Sequence, residues 1–296
     1  MNLSFSVYRL WALPQAKMNQ ENALPTTRAP VANMLLAAIP RVEYERMLPS
    51  LEAVELVFAD VLYESGDHIK HVYFPNDSLV SLLTVVDQHL ALEVGMVGPE
   101  GMVGTAFALG IDVTPVTALV QGSGSAMRMT SARFRKEFQR SEALQKVVLR
   151  YTHQLMSQIA QTAACNRFHQ VEARLARWLL MTRDRVSSNQ FQLTHEFLGH
   201  MLGVRRVGVT NAALALKRRK LISYSRGSIS ILNGAGLEKT ACSCYAFYDG
   251  GTMSGGISGA SKNGGKEAAK KSVKASTKIL VKELGKDTVK TAVKKK

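Results

Sequence analysis

The sequence predicts an α+β protein: an antiparallel β-roll of jelly-roll type, one long helix, a C-terminal winged helix-turn-helix and a lysine-rich basic tail. Three observations predict it. Short apolar runs split by turn signals fill the first half of the chain, the apolar period then changes from two to three or four, and a helix, turn, helix, hairpin pattern follows. With 296 residues, 46% of them hydrophobic, the chain can bury two modest cores.

Residues 1–30 show no sustained period and no secretion signal, and are read as an N-terminal extension. Residues 34–48 are predicted to be one helix. The runs at 72–74, 79–86, 90–97 and 116–120 are strand candidates. They are separated by Ser65-Gly66-Asp67, Pro75-Asn76-Asp77, Asp87-Gln88, Gly98-Pro99 and Gly122-Ser123-Gly124, a spacing that suits a small barrel. Beyond Phe138, Leu144, Val148, Tyr151, Leu155, Ile159 and Thr162 fall three or four apart and make one apolar seam. A seam this long and narrow predicts a parallel coiled coil between two copies; packing on the chain's own barrel is the other reading.

A second amphipathic helix is predicted over 169–185. It is followed by a helix capped by Thr194, with Leu198 and Leu202 at helical spacing and Gly203 able to turn the chain. The next helix has Val204 and Val209 inward, which leaves Arg205, Arg206, Val207, Thr210 and Asn211 on the outward face and Lys217 near its end. Such positions can enter a DNA groove. Alternation on either side of Arg226-Gly227 predicts a hairpin, the wing, whose tip residue Arg226 reaches a phosphate.

Charge follows the same division. Residues 1–166 carry 13 Lys/Arg against 15 Asp/Glu, residues 167–237 carry 12 against 3, and residues 262–296 again carry 12 against 3. Two separate segments are thus suited to polyanions. The last follows a Gly/Ser-rich stretch and has lysines every fourth residue from Lys266 to Lys294, a pattern read as linker plus disordered tail. No apolar run approaches the roughly 20 residues of a membrane helix. Three cysteines cannot form a disulfide framework, and Cys242-x-Cys244 alone falls short of the four ligands zinc prefers, so no metal site is predicted and the setting is a reducing cytoplasm. No G-x-S-x-G elbow or H-E-x-x-H helix is present, so the chain is not read as an enzyme.

The order of these elements resembles the Crp/Fnr family of bacterial transcription regulators over residues 34–237. The resemblance rests on E-S-G-D at 64–67, H-V-Y-F-P at 71–75, E-V-G-M-V-G-P-E-G-M-V-G at 93–104, V-E-A-R-L-A-R-W-L-L at 171–180 and, most specifically, the helix-turn-helix. It implies a cyclic-nucleotide-binding-like sensor roll at 31–138, a dimerisation helix at 139–166, a winged helix-turn-helix at 167–237 and a linker with tail at 238–296. It further implies a homodimer on palindromic double-stranded promoter DNA, and leaves RNA polymerase open as a partner. Arg206 keeps the basic residue that reads guanine. Val207 stands where an acidic residue is usual and Asn211 where an arginine is common, which implies a different half-site. In the effector pocket Gly101 and Gly104 are kept, but Thr105 replaces the ribose-binding glutamate and Thr114-Pro115-Val116 replaces the Arg-Ser pair for the cyclic phosphate. Weak or no cAMP binding follows, with no cofactor and an unidentified effector. The family's N-terminal cysteine cluster is missing, and His68, His71 and His89 read as surface histidines. A ligand-sensing or protein-docking adaptor, with non-specific nucleic-acid binding by the tail, is the rival reading.

Overall fold

The computed structural model describes residues 31–86, 90–225 and 227–247. The N-terminal extension, His89, the wing-tip Arg226 and the basic tail lie outside the described residues. The helix expected over 34–48 is divided: α1 is Met34–Ala37 and α2 is Arg41–Met47, followed by a 3-10 turn at Leu48–Ser50. Pro40 sits at the break, since proline lacks an N–H and pushes the residue before it out of helical conformation. Asn33 caps α1 and is fully buried, donating to Pro75 O (2.7 Å) and Gly101 O (2.9 Å), so one side chain ties the start of the domain to its sheet and to a later loop.

Seven strands form the roll: β1 (Glu52–Leu56), β2 (Val61–Tyr63), β3 (His71–Pro75), β4 (Leu79–Val86), β5 (Leu90–Val97), β6 (Thr117–Gly122) and β7 (Gly124–Thr130). They pair antiparallel in two sheets, ordered β1-β7-β3 and β2-β6-β4-β5. Phe74, Val80, Val97, Met102, Val120 and Met129 fill the core and remain at most 1% exposed. Two helices follow, α3 (Ser131–Arg140), capped by Thr130, and α4 (Glu142–Phe168), capped by Ser141.

The predicted seam is corrected by its surroundings. Leu144 and Val148 are fully buried and Tyr151 and Leu155 nearly so, all within the barrel's own core, and Ile159 packs against it. Thr162 Oγ1 accepts from Arg177 Nη2 at 3.1 Å. A face already covered by its own chain is not the face between two copies. Exposed residues lie on the opposite side of α4, where Leu149 (45%) and Met156 (61%) point outward with His153, Ala160 and Ala163 on the same line.

The C-terminal part comprises α5 (Val171–Val186), β8 (Gln190–Gln192), α6 (His195–Leu202), α7 (Arg206–Arg218), β9 (Ile222–Ser225), β10 (Ser228–Ile231) and α8 (Gly234–Thr240). The hairpin gains a third strand, giving the order β8-β10-β9. Leu175, Leu179 and Leu180 of α5 pack with Leu198, Val209 and Leu216, and also with Leu79, Leu83 and Leu119 on the outer face of the four-stranded sheet. The helix-turn-helix core is therefore continuous with the barrel. Among the described residues no helix is long and apolar enough to cross a membrane.

Candidate nucleic-acid interface

Both predicted ends of the first helix of the pair are built as the sequence requires. Thr194 accepts from Phe197 N at 3.1 Å, and Gly203 closes the helix at φ +59°, a conformation that favours glycine. Gly199 makes the close approach possible: a Cβ there would lie 2.9 Å from Val204 O. Val209 is fully buried and Val204 half-buried, so the turn holds α7 by its inner face.

The outer face of α7 carries Arg206, Val207 (69% exposed) and Asn211, with Arg205 as the N-cap. Leu214, half exposed, continues this line and was not anticipated. The helix N-terminus adds its own partial positive charge to the two arginines, an arrangement that attracts phosphate. Thr210 behaves differently from the prediction. Its hydroxyl donates to Arg206 O (3.0 Å) and lies 3.0 Å from His195 Nδ1, so it joins the two helices more than it faces outward. His195 stacks on Tyr224 of β9 at 4.1 Å, and burial, with Arg206 nearby, lowers its pKa. Lys217 Nζ donates to Tyr224 O at 3.3 Å, tying the end of α7 to the wing. Sequence spacing could not reveal this His195, Tyr224, Lys217 support, because its members come from three elements.

The predicted effector-pocket residues fall in two places. Gly101 lies under the Tyr151 ring, leaving no room for a Cβ, and Gly104, at φ +99°, is packed by Val72, Tyr63 and Ile69. Thr105 opens the 3-10 turn Thr105–Leu109. Thr114, Pro115 and Val116 are fastened elsewhere, on the turn at 64–67: Gly66 N donates to Thr114 O (2.8 Å), Ser65 Oγ donates to Pro115 O (3.0 Å), and Thr114 Oγ1 donates to Val116 O (2.8 Å). Tyr63, whose hydroxyl lies against Gly104, is buried, and burial pushes its phenol pKa well up.

The cysteine pair acquires company. Cys165 and His169 at the end of α4 meet Cys242 and Cys244, and the four donor atoms lie within 4.8 Å of one another. These are the described residues that could hold a soft metal ion. The two halves are 77 residues apart at Cys165 and Cys242, beyond the reach of any spacing rule.

Residues 173–240, which contain most of α5 and all of the elements through α8, match the Crp-like helix-turn-helix domain family. Residues 173–240 are thus a Crp-like helix-turn-helix domain. Its fold is similar to that of a CRP-family transcriptional regulator from Thermus thermophilus (19% identity, TM-score 0.55, covering 64% of this chain and 96% of that one). It is also similar to FixK2 from Bradyrhizobium japonicum (12%, 0.55, 65% and 98%) and to the c-di-GMP-responsive global regulator CLP from Xanthomonas campestris (16%, 0.54, 65% and 99%). No curated protein matches the chain in sequence. The chain thus carries a Crp-like helix-turn-helix domain, preceded by a roll and helices that share the fold of solved Crp/Fnr regulators.

Proposed function

We propose that this chain is a Crp/Fnr-type transcription regulator that binds palindromic promoter DNA as a homodimer and does so without cAMP. The observation that carries the reading is the outward face of α7, on which Arg206, Val207 and Asn211 stand clear of the protein while the inner face is locked in the core. Arg206 offers two donors to the O6 and N7 of guanine, Asn211 suits adenine, and Val207 suits a thymine methyl. Arg205 and the start of α7 serve phosphate.

Dimerisation is assigned to the exposed line of α4, not to the buried seam. Leu149, His153, Met156, Ala160 and Ala163 are spaced 4, 3, 4 and 3, the heptad rhythm of a two-helix contact, and the small alanines allow close approach. A second copy related by a two-fold axis along α4 places two recognition helices for half-sites about one DNA turn apart, roughly 34 Å. Independence of cAMP is supported by Thr105 and by the Thr114–Val116 segment, which offer no charged partner for a cyclic phosphate.

Selection of bound genomic fragments followed by sequencing tests the reading. It should return an inverted repeat with one-turn spacing, and light scattering should return twice the chain mass. A direct repeat, a single half-site or no enrichment overturns the DNA part. Micromolar binding of cAMP in calorimetry overturns the other.

A further inference from the structure

Cys165, His169, Cys242 and Cys244 form a buried cluster outside the nucleic-acid interface. Cys165 is fully buried, Cys244 is 1% exposed and Cys242 8%. Cys165 and His169 are one helical turn apart at the end of α4, where the His169 N–H still donates to Cys165 O. Cys242 and Cys244 follow α8, at the start of the 3-10 turn Ser243–Phe247.

We propose that these four residues form a tetrahedral Cys3His zinc site that staples the end of α4 to the end of the winged helix. The spacing of the donor atoms is the first argument. Cys165 Sγ and Cys242 Sγ are 3.5 Å apart, and Cys244 Sγ and His169 Nδ1 are 3.4 Å apart. A tetrahedral ion with bonds of about 2.3 Å to sulfur and about 2.05 Å to nitrogen places sulfurs about 3.8 Å apart, and sulfur and nitrogen about 3.5 Å apart. A disulfide needs sulfurs at about 2.05 Å, which this separation is not.

The donor set is the second argument. Three thiolates and an imidazole select soft or borderline cations over magnesium or calcium, whose preferred ligands are oxygens. A multi-iron cluster interposes its own sulfides and spreads its ligands wider than this cluster permits. Outer partners are in place as well. Gln161 Nε2 donates to Cys244 Sγ at 2.9 Å, and Arg174 and Arg177, both buried, stand on the neighbouring turns of α5. Zinc on three thiolates and one neutral imidazole leaves one net negative charge, which these arginines oppose. Binding releases the thiol protons to solvent, so the ion enters without any redox step.

Position gives the site its consequence. Cys165 and Cys244 bracket the whole Crp-like domain, and the junction between α4 and α5, at 169–170, lies inside the bracket. An ion held from both sides fixes the angle at that junction.

The test uses the full chain, purified in reductant, loaded with zinc or with cobalt and then gel-filtered. About one equivalent of zinc should remain per chain, and the cobalt form should show the intense visible bands and thiolate charge-transfer absorption of a tetrahedral sulfur-rich site. C242S/C244S should lose both, retaining less than about a tenth of the metal, whereas His169→Cys should keep them because a fourth thiolate replaces the imidazole. Should the serine variant fail to fold, the cobalt spectrum of the unaltered chain decides alone. Loss of metal on gel filtration, a weak octahedral cobalt spectrum, an iron–sulfur chromophore, or a Cys165–Cys242 disulfide in protein handled without oxygen would each overturn the proposal.

Discussion

Glu93 of β5 is buried between the barrel and α5, and Glu93→Gln should change the pH dependence of stability. Trp178 Nε1 donates to its Oε1 at 2.8 Å. On the other side, the Ser81 hydroxyl lies 2.6 Å from both Glu93 Oε2 and Gln121 Oε1, and Gln121 Nε2 donates to Thr182 Oγ1 at 3.2 Å. One hydroxyl supplies one proton, so a proton on Glu93 completes the chain of bonds towards α5. Burial raises the carboxyl from 4.5 to about 7, against the opposing hydrogen bonds of Ser81 and Trp178 and the charge of Arg177 and Arg185. The sign follows from the raised value. Below pH 4.5 both folded and unfolded chains hold the proton and the contribution is intact. Between 4.5 and about 7 only the folded chain holds it, and stability falls by about 1.4 kcal/mol per pH unit, reaching a deficit of about 3 kcal/mol by pH 8. Glutamine keeps a donor towards Ser81 and an acceptor towards Trp178 with no charge to bury. Urea unfolding of both proteins at pH 5, 6, 7 and 8, at one protein concentration, should show the variant gaining on the parent as pH rises, by up to about 3 kcal/mol. A stability difference that stays constant with pH, or a variant weaker at pH 8 than at pH 5, would refute the reasoning.

If the proposed dimer forms through the exposed line of α4, Met156→Lys should convert it to monomer in light scattering, because it places a charge on that line. Leu144→Ala, in the buried seam, should leave the mass unchanged while costing about 2–5 kcal/mol of stability; the reverse pattern would restore the seam as the interface. Gly199→Ala should destabilise by about 1–3 kcal/mol, since the methyl meets Val204 O at 2.9 Å and outweighs the alanine's better helix propensity of about 1 kcal/mol; an unchanged urea midpoint contradicts this. Arg206→Ala should weaken binding to the selected half-site by about 1–3 kcal/mol while changing competitor binding much less, as read by gel shift, and equal losses on both DNAs would remove its base-reading role.

What the sequence revealed depended on the range of the signal. Thr194, Gly199 and Gly203 lie within ten residues of one another and encode a cap, a close approach and a turn, so the helix-turn-helix was legible down to its glycines. The seam in α4 shows the limit. Periodicity at Leu144, Val148, Tyr151 and Leu155 identifies a face that must be covered, and is silent about what covers it. The strands β1 and β7 escaped notice because Glu52, Glu55 and Arg128 interrupt their apolar pattern; across that pair Arg128 Nη2 and Glu52 Oε2 meet at 2.7 Å. Thr210 looked like a base-reading position because nothing near it in sequence shows His195 on its hydroxyl. The metal-type cluster was hidden by distance along the chain, since only the completed fold brings α4 to the segment after α8.

Strand β5 is where the two halves of the protein are coupled most tightly. Glu93 reaches Trp178 in α5, Met96 N donates to Gln158 Oε1 in α4 at 2.6 Å, and a Cβ on Gly203, at the turn of the helix pair, would touch Leu92 Cδ1 at 2.7 Å. Just past the strand, Glu100 accepts from Arg185 Nε at 2.8 Å. Each contact has one end on the roll and the other on α4, α5 or the turn that positions α7. Breaking any buried polar pair among them leaves a group without its partner, at a cost of about 1–3 kcal/mol, so these contacts resist separation of β5 from α4, α5 and the helix pair. The pairing of β5 with β4 carries an irregularity between Leu82 and Leu83, beside these contacts.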